Sequence, residues 1–386
     1  MKTEFVIVGG GLSGLYAAYL LEQQGKDYIL LEGRHRLGGR IYTEDQFDMG
    51  PSWFWPDMHP RITQLIDKLH LPVFPQHDKG AFLFDKHENK APLRYESGYA
   101  GSPQSMRVAG GMQTVVDGIK TKLTDEHIIC NAKATHVEHY AEHSAEHRAE
   151  QQDSYSIVTA EINGATQTIQ ARQVIFAMPL RLLENSITFT PALPVQVQKK
   201  FASTATWMAA HAKFFAIYET PFWRKTGLSG SASSQVGPLA EIHDASTIDA
   251  AFTDTTIDAK NSAASSGNGA LFGFVGIDAH TRQAAGNELI KSLAVKQLVR
   301  IYGEQAANPI DVKLIDWSQE SMTATDADKN APSAHPHYGL GDVRSALSPI
   351  HQQGWYFAGT EAAEENGGYI EGALEAAEAV IAQLKI

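Results

Sequence analysis

The stretch FVIVGGGLSGLYAAYLL, residues 5–21, decides the fold of this 386-residue chain. Residues 5–8 are an apolar run typical of a buried strand, three glycines follow, and the pattern then predicts a helix from about residue 12 to 24. Residues 27–31 (DYILL) predict a second strand, which ends at Glu32. The order predicts one βαβ unit, the building block of an α/β fold with a Rossmann-type sheet.

The glycines in this turn have the spacing of a dinucleotide-binding site. Gly9 permits the tight turn, Gly11 lets the backbone approach a pyrophosphate, and Gly14 lets the helix pack on the strand. The helix N-terminus offers N–H groups and the positive end of its dipole to phosphates. Glu32 stands where an acid accepts hydrogen bonds from ribose hydroxyls. The alternative is a glycine turn that serves only to pack the helix against the strand, and it does not explain why an acid follows the second strand.

Composition excludes several other classes of protein. A net charge of −12 does not favour binding to nucleic acid or to an anionic membrane surface. The single cysteine, Cys130, excludes a disulfide framework and a multi-cysteine metal cluster. With no apparent secretory signal or membrane anchor, we expect a cytoplasmic protein.

A histidine-rich segment is the one pattern that resembles a metal site. His139, His143 and His147 lie at i, i+4 and i+8, one face of a helix if a helix forms. The flanking sequence AEHSAEHRAE is polar and repetitive, which favours a solvated insertion instead. We therefore predict no metal.

Two further motifs specify the dinucleotide. Residues 33–40 (GRHRLGGR) place a paired-glycine turn and an arginine directly after the acid, and residues 355–361 (WYFAGTE) are followed by GGYIEGALEAA. Together they resemble the two FAD motifs of the flavin amine oxidase superfamily, with a Rossmann-type FAD-binding domain and a second mixed-sheet α+β substrate domain. The resemblance implies an FAD domain at 1–75, 106–200 and 338–386, and a substrate domain at 76–105 and 201–337.

The resemblance also implies which residues bind the cofactor. In its N-terminal part and middle these are Gly9, Gly11, Leu12, Ser13, Gly14, Glu32, Gly33, Arg34, Gly39, Arg40, Gly50, Pro51, Ser52 and Ala134. In its C-terminal part they are Gly359, Thr360, Glu361, Gly368, Tyr369 and Ile370. Some family members attach the flavin to a cysteine, but the comparable stretch here, DKNAPSAHPHYG, has none. FAD is therefore expected to be noncovalent.

Three residues are implied to take part in catalysis. The segment from Lys213 through YETPFWRK resembles the monoamine oxidase strand whose lysine holds a water against the flavin, although a lysine here can also extend to solvent. Tyr369 aligns with one wall of the aromatic cage that guides the amine. Trp317 matches a tryptophan near the cofactor, with core packing as its alternative.

The substrate side is predicted less completely. Trp53 falls where the family often has a substrate-side aromatic residue, again with core packing as the alternative. The second cage ring aligns near Pro332, so His335, His337 or Tyr338 is expected to replace it, or the cage is half open. Only about 25 residues separate Phe82 from RVAGGMQ, where the family has a longer helical region. We therefore expect a more open cavity.

The implied reaction is oxidation of an amine C–N bond. A hydride passes to flavin N5, water hydrolyses the imine, and O2 reoxidises the flavin to give H2O2. The alternatives are a flavin dehydrogenase or desaturase that uses another electron acceptor, and a non-catalytic flavin-binding partner protein. A small-molecule amine is the expected ligand, and the oligomeric state stays open, with a homodimer among the options.

Overall fold

A computed structural model describes residues 1–96, 103–141, 154–248, 267–330 and 335–384. Its α-helices are α1 (Leu12–Gln23), α2 (Pro60–Lys68), α3 (Gln113–Lys120), α4 (Leu180–Ser186), α5 (Val195–Ser203), α6 (Phe222–Lys225), α7 (Ala279–Ala285), α8 (Asn287–Tyr302), α9 (Asp326–Lys329), α10 (Arg344–Gln352) and α11 (Ile370–Ile381).

The strands follow the same order along the chain. They are β1 (Lys2–Val8), β2 (Tyr28–Leu31), β3 (Thr43–Glu44), β4 (Phe47–Asp48), β5 (Val73–Pro75), β6 (Ala81–Asp85), β7 (Leu93–Tyr95), β8 (Met106–Val108), β9 (Ile128–Ile129), β10 (Ala132–Tyr140), β11 (Tyr155–Ile162), β12 (Ala165–Phe176), β13 (Thr188–Thr190), β14 (Ala212–Tyr218), β15 (Leu228–Ser234), β16 (Leu239–Asp244), β17 (Gly269–Val275), β18 (Asp311–Asp316) and β19 (Trp355–Phe357).

The first sheet is built around the long strand β12. Its order is β13-β10-β11-β12-β1-β2-β9, and β19 also pairs with β12. The first half of β12 pairs antiparallel with β11, whereas its last residues, Val174 to Phe176, lie between β1 and β19, both parallel to it. The predicted βαβ unit is confirmed as β1-α1-β2. In this arrangement three parallel strands end side by side, and ligands of open α/β sheets bind at such ends.

Apolar helices cover both faces of this sheet. On one face α1, α3 and α11 bury residues such as Leu15, Val116 and Leu374 against Phe5 and Ile7 of β1. On the other face the helices α4, α5 and α10 pack on β12 and β19. Strands buried on both sides read as continuous apolar runs, which is why FVIV was recognisable in the sequence.

The second sheet has the order β18-β14-β17-β16-β15-β6-β7. It is mixed, because β6 and β15 are parallel and the other pairs are antiparallel. Strand β14 lies between β17 and β18, and all seven of its residues are buried. The predicted mixed sheet is thus confirmed, while the exact domain boundaries stay a prediction.

The many prolines of residues 50–101 predict a segment rich in loops, and much of its described part is loop. The helix α2 within it was not predicted; it begins at Pro60, a favoured first residue of a helix. Its Ile62, Leu65 and Ile66 are buried. Within 76–96 and 103–105, the described parts of that segment of the substrate domain, the chain forms strands and turns without a helix. The absence of a helix in these described residues agrees with the shorter helical region that the sequence predicts.

Two features of the sequence fall partly outside the structure. His143, His147 and Pro332 lie outside the described residues, as does most of the low-complexity stretch at 254–270. His139 is at the end of β10, beside Trp355. In the described residues no group of three or more metal-ligating side chains is present, and none of the helices is long and apolar enough to cross a membrane.

Candidate active site

A cavity of about 380 Å³ opens at the carboxyl ends of β1, β12 and β19. Its walls come from both sheets, since Gly9 and Gly359 follow strands of the first sheet whereas Lys213 and Phe274 lie in the second. The predicted residues that line it are Gly9, Gly11, Leu12, Ser13, Glu32, Gly33, Arg34, Gly39, Arg40, Gly50, Pro51, Ser52, Trp53, Ala134, Lys213, Trp317, Gly359, Thr360, Gly368, Tyr369 and Ile370.

The glycine loops from the two ends of the chain meet over the end of β12. A Cβ at Gly9 would lie 2.5 Å from the carbonyl oxygen of Ala177, and one at Gly359 would lie 2.3 Å from that of Met178. Ser13 donates a hydrogen bond to the carbonyl oxygen of Ala358, 345 residues away in sequence. Only glycine allows these approaches, so both motifs have a packing role in addition to any ligand contact.

The paired-glycine turn packs directly on the first glycine loop. Gly38 donates a backbone hydrogen bond to Gly10 (2.8 Å), and a Cβ on Gly39 would lie 3.2 Å from the Cα of Gly11. Arg36 donates to the carbonyl oxygens of Gly39 (2.9 Å) and Ile41 (3.1 Å), which holds the turn closed. The two motifs that the sequence suggested separately therefore form one surface.

Glu32 is buried beside this surface. One of its carboxylate oxygens accepts from the backbone N–H of Gly10 (2.7 Å) and the other from that of Arg34 (2.8 Å). Each oxygen retains a second lone pair, so both can also accept from ribose hydroxyls, as predicted.

The two arginines expected at the cofactor have different partners. Arg40 forms an ion pair with the buried Glu361 (2.8 Å) and donates to the carbonyl oxygen of Trp207 (3.4 Å). Arg34 donates to Thr323 Oγ1 (2.8 Å), and its Nε is buried without an acceptor among the described residues. Arg40 thus lies beside the C-terminal glycine motif, and Arg34 lies beside Glu32.

The second helix N-terminus at the cavity is that of α11. Its N-cap is Tyr369, and Ile370 is its first residue. Thr360 Oγ1 accepts from the backbone N–H of Gly368 (3.1 Å) and donates to the carbonyl oxygen of Tyr369 (2.8 Å), which fixes the turn before the helix. The N–H groups of the first helical turn are thereby held at the cavity, and their contact to the flavin ring stays a prediction.

Lys213 is buried with its ammonium fully coordinated. Its Nζ donates to the carbonyl oxygens of Asp48 (2.7 Å) and Gly50 (3.0 Å) and to Ser52 Oγ (2.7 Å), and it lies 4.2 Å from the centre of the Phe272 ring. A charged amine has three N–H donors, so all three are used by one loop. The alternative of an amine that extends to solvent is excluded, since the residue is 4% exposed.

Burial and neighbouring charges act in opposite directions on the pKa values of Lys213 and Asp48. Burial is the main cause that lowers the pKa of Lys213 to about 7; the charge of Asp48 opposes this effect and that of Arg107 adds to it. Burial also raises the pKa of Asp48, although Thr43, Arg107 and Lys213 act in the opposite direction. Lys213 can consequently be present as a neutral amine near neutral pH, with a lone pair that accepts a hydrogen bond.

Tyr369 belongs to a row of aromatic and imidazole rings. The rings of Tyr369 and His335 are stacked, with centroids 5.0 Å apart and planes 15° apart, and His59 lies 5.8 Å from Tyr369 on another side. His335 Nε2 donates to the carbonyl oxygen of Gly367 (3.0 Å). Tyr338 packs edge-on against His335 and donates to the carbonyl oxygen of Ala205 (2.9 Å).

Neither His335 nor Tyr338 is among the residues that line the cavity, and their part in substrate binding stays a prediction. His335 reaches the cavity only through the ring of Tyr369, on which it stacks. Gly14 and Glu361 also lie behind the lining: a Cβ on Gly14 would lie 1.9 Å from the carbonyl oxygen of Gly9, so its role is helix packing.

The two predicted tryptophans line the cavity and are hydrogen-bonded. Trp53 Nε1 donates to Gln76 Oε1 (2.8 Å), and its ring packs against His243 and Phe272. Trp317 is buried and its Nε1 donates to the carbonyl oxygen of Met49 (3.1 Å). Both rings therefore combine core packing with exposure to the cavity.

Sequence reasoning did not identify several lining residues. These are Trp55, His59, Trp207, Met208, His211, Phe274, Ser321, Met322 and Thr323, among others. Some of them are near predicted residues in the sequence, since Trp55 is close to Trp53, and Trp207, Met208 and His211 are close to Lys213. The turn that contains Met322 reaches the cavity through folding across the two sheets, which no local pattern reveals.

The geometry fits FAD. The cavity combines a glycine cradle, two helix N-termini, an acid placed for ribose, and a buried Arg34 donor whose Nε has no acceptor in the described part of the chain. Cys130 follows β9 and does not line the cavity, so no cysteinyl bond holds the flavin.

The sequence is similar to family models and to known proteins along most of its length. A family model described as "Flavin containing amine oxidoreductase" matches residues 96–382, and one for an NAD(P)-binding Rossmann-like domain matches residues 7–69. The chain is 24% identical to a probable flavin-containing monoamine oxidase A of Dictyostelium discoideum, over 99% of this chain and 97% of the relative. It is also 24% identical to amine oxidase (flavin-containing) B of Homo sapiens, over 98% and 85%.

Solved structures agree on the fold. Cyclohexylamine oxidase from Brevibacterium oxydans IH-35A superimposes with a TM-score of 0.76 at 19% identity, covering 99% of both chains. Putrescine oxidase bound to putrescine gives a TM-score of 0.74 at 20% identity, also covering 99% of both chains. This chain therefore belongs to the flavin-containing amine oxidoreductase family and is an oxidoreductase whose cofactor is FAD.

Proposed function

We propose that the protein oxidises a primary amine at its C–N bond, with O2 as the electron acceptor. The observation that carries the proposal is a buried lysine in a cavity that also holds the FAD motifs and Tyr369. When bound, FAD accepts a hydride equivalent from the α-carbon of the amine and passes two electrons to O2, which gives H2O2. Water hydrolyses the resulting imine to a carbonyl compound and ammonia.

The residues of the chain supply binding and orientation. Lys213 fixes the loop of Gly50 and Ser52 at the cavity and, in its neutral form, offers a lone pair to the hydroxyl of Ser52 or to a water molecule. Tyr369 presents its ring at the mouth, where it is 40% exposed, and steers the amine nitrogen. Trp317 closes the wall beside Met49 and excludes bulk water from that side.

Apolar rings surround the path that an amine would follow. Trp53, Phe274, Tyr369 and the imidazole of His59 line the cavity, and Phe272 packs behind Trp53. Rings of this kind favour a substituent with apolar surface and bind a neutral or cationic nitrogen through their faces. We propose a cyclic or aromatic monoamine as the preferred substrate class.

A peroxide-coupled screen of amines tests the proposal. Purified holoprotein is mixed with cyclohexylamine, benzylamine, 2-phenylethylamine and putrescine in air, and H2O2 and flavin absorbance are followed together. Bleaching of the flavin with one H2O2 formed per amine consumed supports an amine oxidase. Higher kcat/KM for the cyclic amines than for putrescine supports the proposed substrate class.

Other outcomes separate the alternatives. Bleaching by an amine without return of the absorbance in O2, but with return on adding a quinone dye, identifies a dehydrogenase. A flavin that no amine bleaches contradicts the proposed reaction and leaves a desaturase or a flavin-binding partner protein as the function.

A further inference from the structure

The turn at residues 320–323 crosses from the second sheet to the cofactor end of the first. It follows β18 and Trp317, and it is closed by backbone hydrogen bonds from Glu320 to Trp317 (3.1 Å) and from Thr323 to Glu320 (2.8 Å). Ser321, Met322 and Thr323 all line the cavity. Because Trp317 lines it too, this short segment extends along the wall between two parts of the site.

Arg34 fastens the turn to the first sheet. Its guanidinium donates to Thr323 Oγ1 (2.8 Å) and to the carboxylate of Glu320 (3.4 Å), and Thr323 is 2% exposed. The carbonyl oxygen of Arg34 accepts from the backbone N–H of Asn131 (2.8 Å), so Arg34 itself is held in place by the loop before β10.

Met322 covers the residue next to the ribose-binding acid. A Cβ on Gly33 would lie 3.1 Å from the sulfur of Met322 and 3.3 Å from its methyl carbon. Gly33 directly follows Glu32, whose carboxylate marks the adenosine ribose in a dinucleotide fold. A thioether is well suited to contact an aromatic ring, which is what the adenine base presents.

We propose that residues 320–323 form a clasp over the adenosine end of FAD. Met322 contacts the adenine, and Arg34 acts as a positioning residue that locks the clasp through Thr323, rather than as a ligand of the diphosphate. The Nε of Arg34, which has no acceptor among the described residues, remains available to the adenosine moiety. The clasp belongs to the part of the chain that carries the substrate side, so cofactor retention depends on both sheets.

If residues 320–323 contact only the adenosine end of FAD, substitutions in them should weaken binding of adenosine-containing ligands and leave binding of FMN unchanged. Flavin is removed from the full-length protein, and the apoprotein is titrated with FAD, with FMN, which lacks the adenosine part, and with ADP, which lacks the flavin. In Thr323→Val and in Met322→Ala, FAD and ADP should bind about 5- to 10-fold more weakly, the effect of one lost hydrogen bond or apolar contact. FMN affinity should stay within about 2-fold of wild type, since a group that touches only adenosine cannot affect it.

Two further variants control the comparison. Thr323→Ser keeps the hydroxyl and should retain wild-type affinity for FAD, while Thr188→Val changes an exposed threonine on β13, outside the cavity lining, and should change nothing. Equal losses for FAD and FMN would show that the turn only supports the cavity as a whole, and unchanged FAD affinity would show that it makes no contact; either result overturns the proposal. The readout is binding, so it stands apart from the outcome of the amine screen.

Discussion

Lys213 is the residue on which the proposed reaction depends most. The sequence suggested that it holds a water molecule, and the structure shows its three donors directed at Asp48, Gly50 and Ser52 instead. A buried amine that organises a loop at the cofactor can act on the reaction through that loop, through its lone pair, or through both. Removing the amine and changing its protonation are therefore separate experiments.

Lys213→Met is expected to slow flavin reduction by an amine by about 10-fold or more while FAD stays bound, because the glycine loops and Glu32 make no hydrogen bond to Lys213. Stopped-flow absorbance at saturating amine measures the reduction rate, and the flavin-to-protein absorbance ratio measures retention. Lys200→Met, which changes a lysine of α5 paired with Asp342 and outside the cavity, is the matched control. Unchanged reduction in Lys213→Met would remove this residue from the mechanism.

The lowered pKa of Lys213 gives stability a definite pH dependence. The folded protein releases this proton near pH 7, whereas the unfolded chain keeps it to about pH 10.4, so the unfolded state binds more protons in between. The contribution of Lys213 to the free energy of unfolding therefore rises as pH increases from 7 to 10. Urea denaturation of wild type and Lys213→Met at pH 7 and pH 9 measures it.

The difference in stability between the two proteins should shift in favour of wild type at the higher pH. Burial raises the pKa of Asp48, and comparing wild type with Lys213→Met in the same buffers isolates the contribution of the lysine. A difference that is constant, or that shifts toward the methionine variant, contradicts a neutral buried lysine.

Tyr369 and His335 act as a stacked pair, and only the former reaches the cavity. Tyr369→Ala should lower kcat/KM for the amine about 10-fold, since an aromatic contact is worth about 0.5–1.5 kcal/mol. His335→Phe keeps a ring behind Tyr369 and should lower it by less than about 3-fold. Steady-state kinetics with one amine compares them, and a larger loss for His335→Phe would mean that the imidazole itself contacts the substrate.

At the scale of elements, the first turn of α1 shows how packing and binding share one motif. A Cβ on Gly14 would lie 1.9 Å from the carbonyl oxygen of Gly9, so Gly14→Ala must displace the turn that holds the phosphates. We expect this variant to be purified without flavin and with a lower melting temperature. Absorbance at 450 nm and circular dichroism measure the two effects.

Gly118→Ala, in the interior of α3, is the matched helical control. Its new Cβ would meet only the side-chain end of Leu69 at 3.1 Å, and alanine favours a helix over glycine by up to about 1 kcal/mol. This variant should keep its flavin. Loss of flavin from both variants would show that an added methyl group in either helix disturbs the fold. It would contradict a specific role of Gly14 in cofactor binding.

Elements with a strong local pattern were predictable, and contacts between distant elements were not. The continuous apolar run and the glycine spacing predicted β1, α1 and β2, because both properties are local. The helix α2 was missed because the surrounding prolines suggested loops, although Pro60 begins it. The stacking of His335 on Tyr369 was not predicted, because it depends on how residues 335–338 fold back over Gly367, which spacing does not encode.

At the scale of the molecule, FAD should stabilise the whole chain, because its cavity is lined from both sheets. A ligand that binds only the folded state at 100 times its Kd adds about 2.7 kcal/mol to the free energy of unfolding. The melting temperature of the apoprotein should thus rise with FAD concentration in differential scanning fluorimetry. Riboflavin, which lacks the diphosphate and adenosine, should raise it less at equal concentration; equal shifts would contradict the assignment of the cradle to the diphosphate.

The meeting of the two glycine loops over the end of β12 has a consequence for how the protein is made. Ser13 finds its partner at Ala358, and the helix that faces the flavin begins at Ile370. During synthesis, a growing chain that already carries its first glycine loop has no opposite wall for it until residues 358–370 have been translated. Assembly of the complete cofactor cavity therefore waits for a segment that is made long after the first glycine loop.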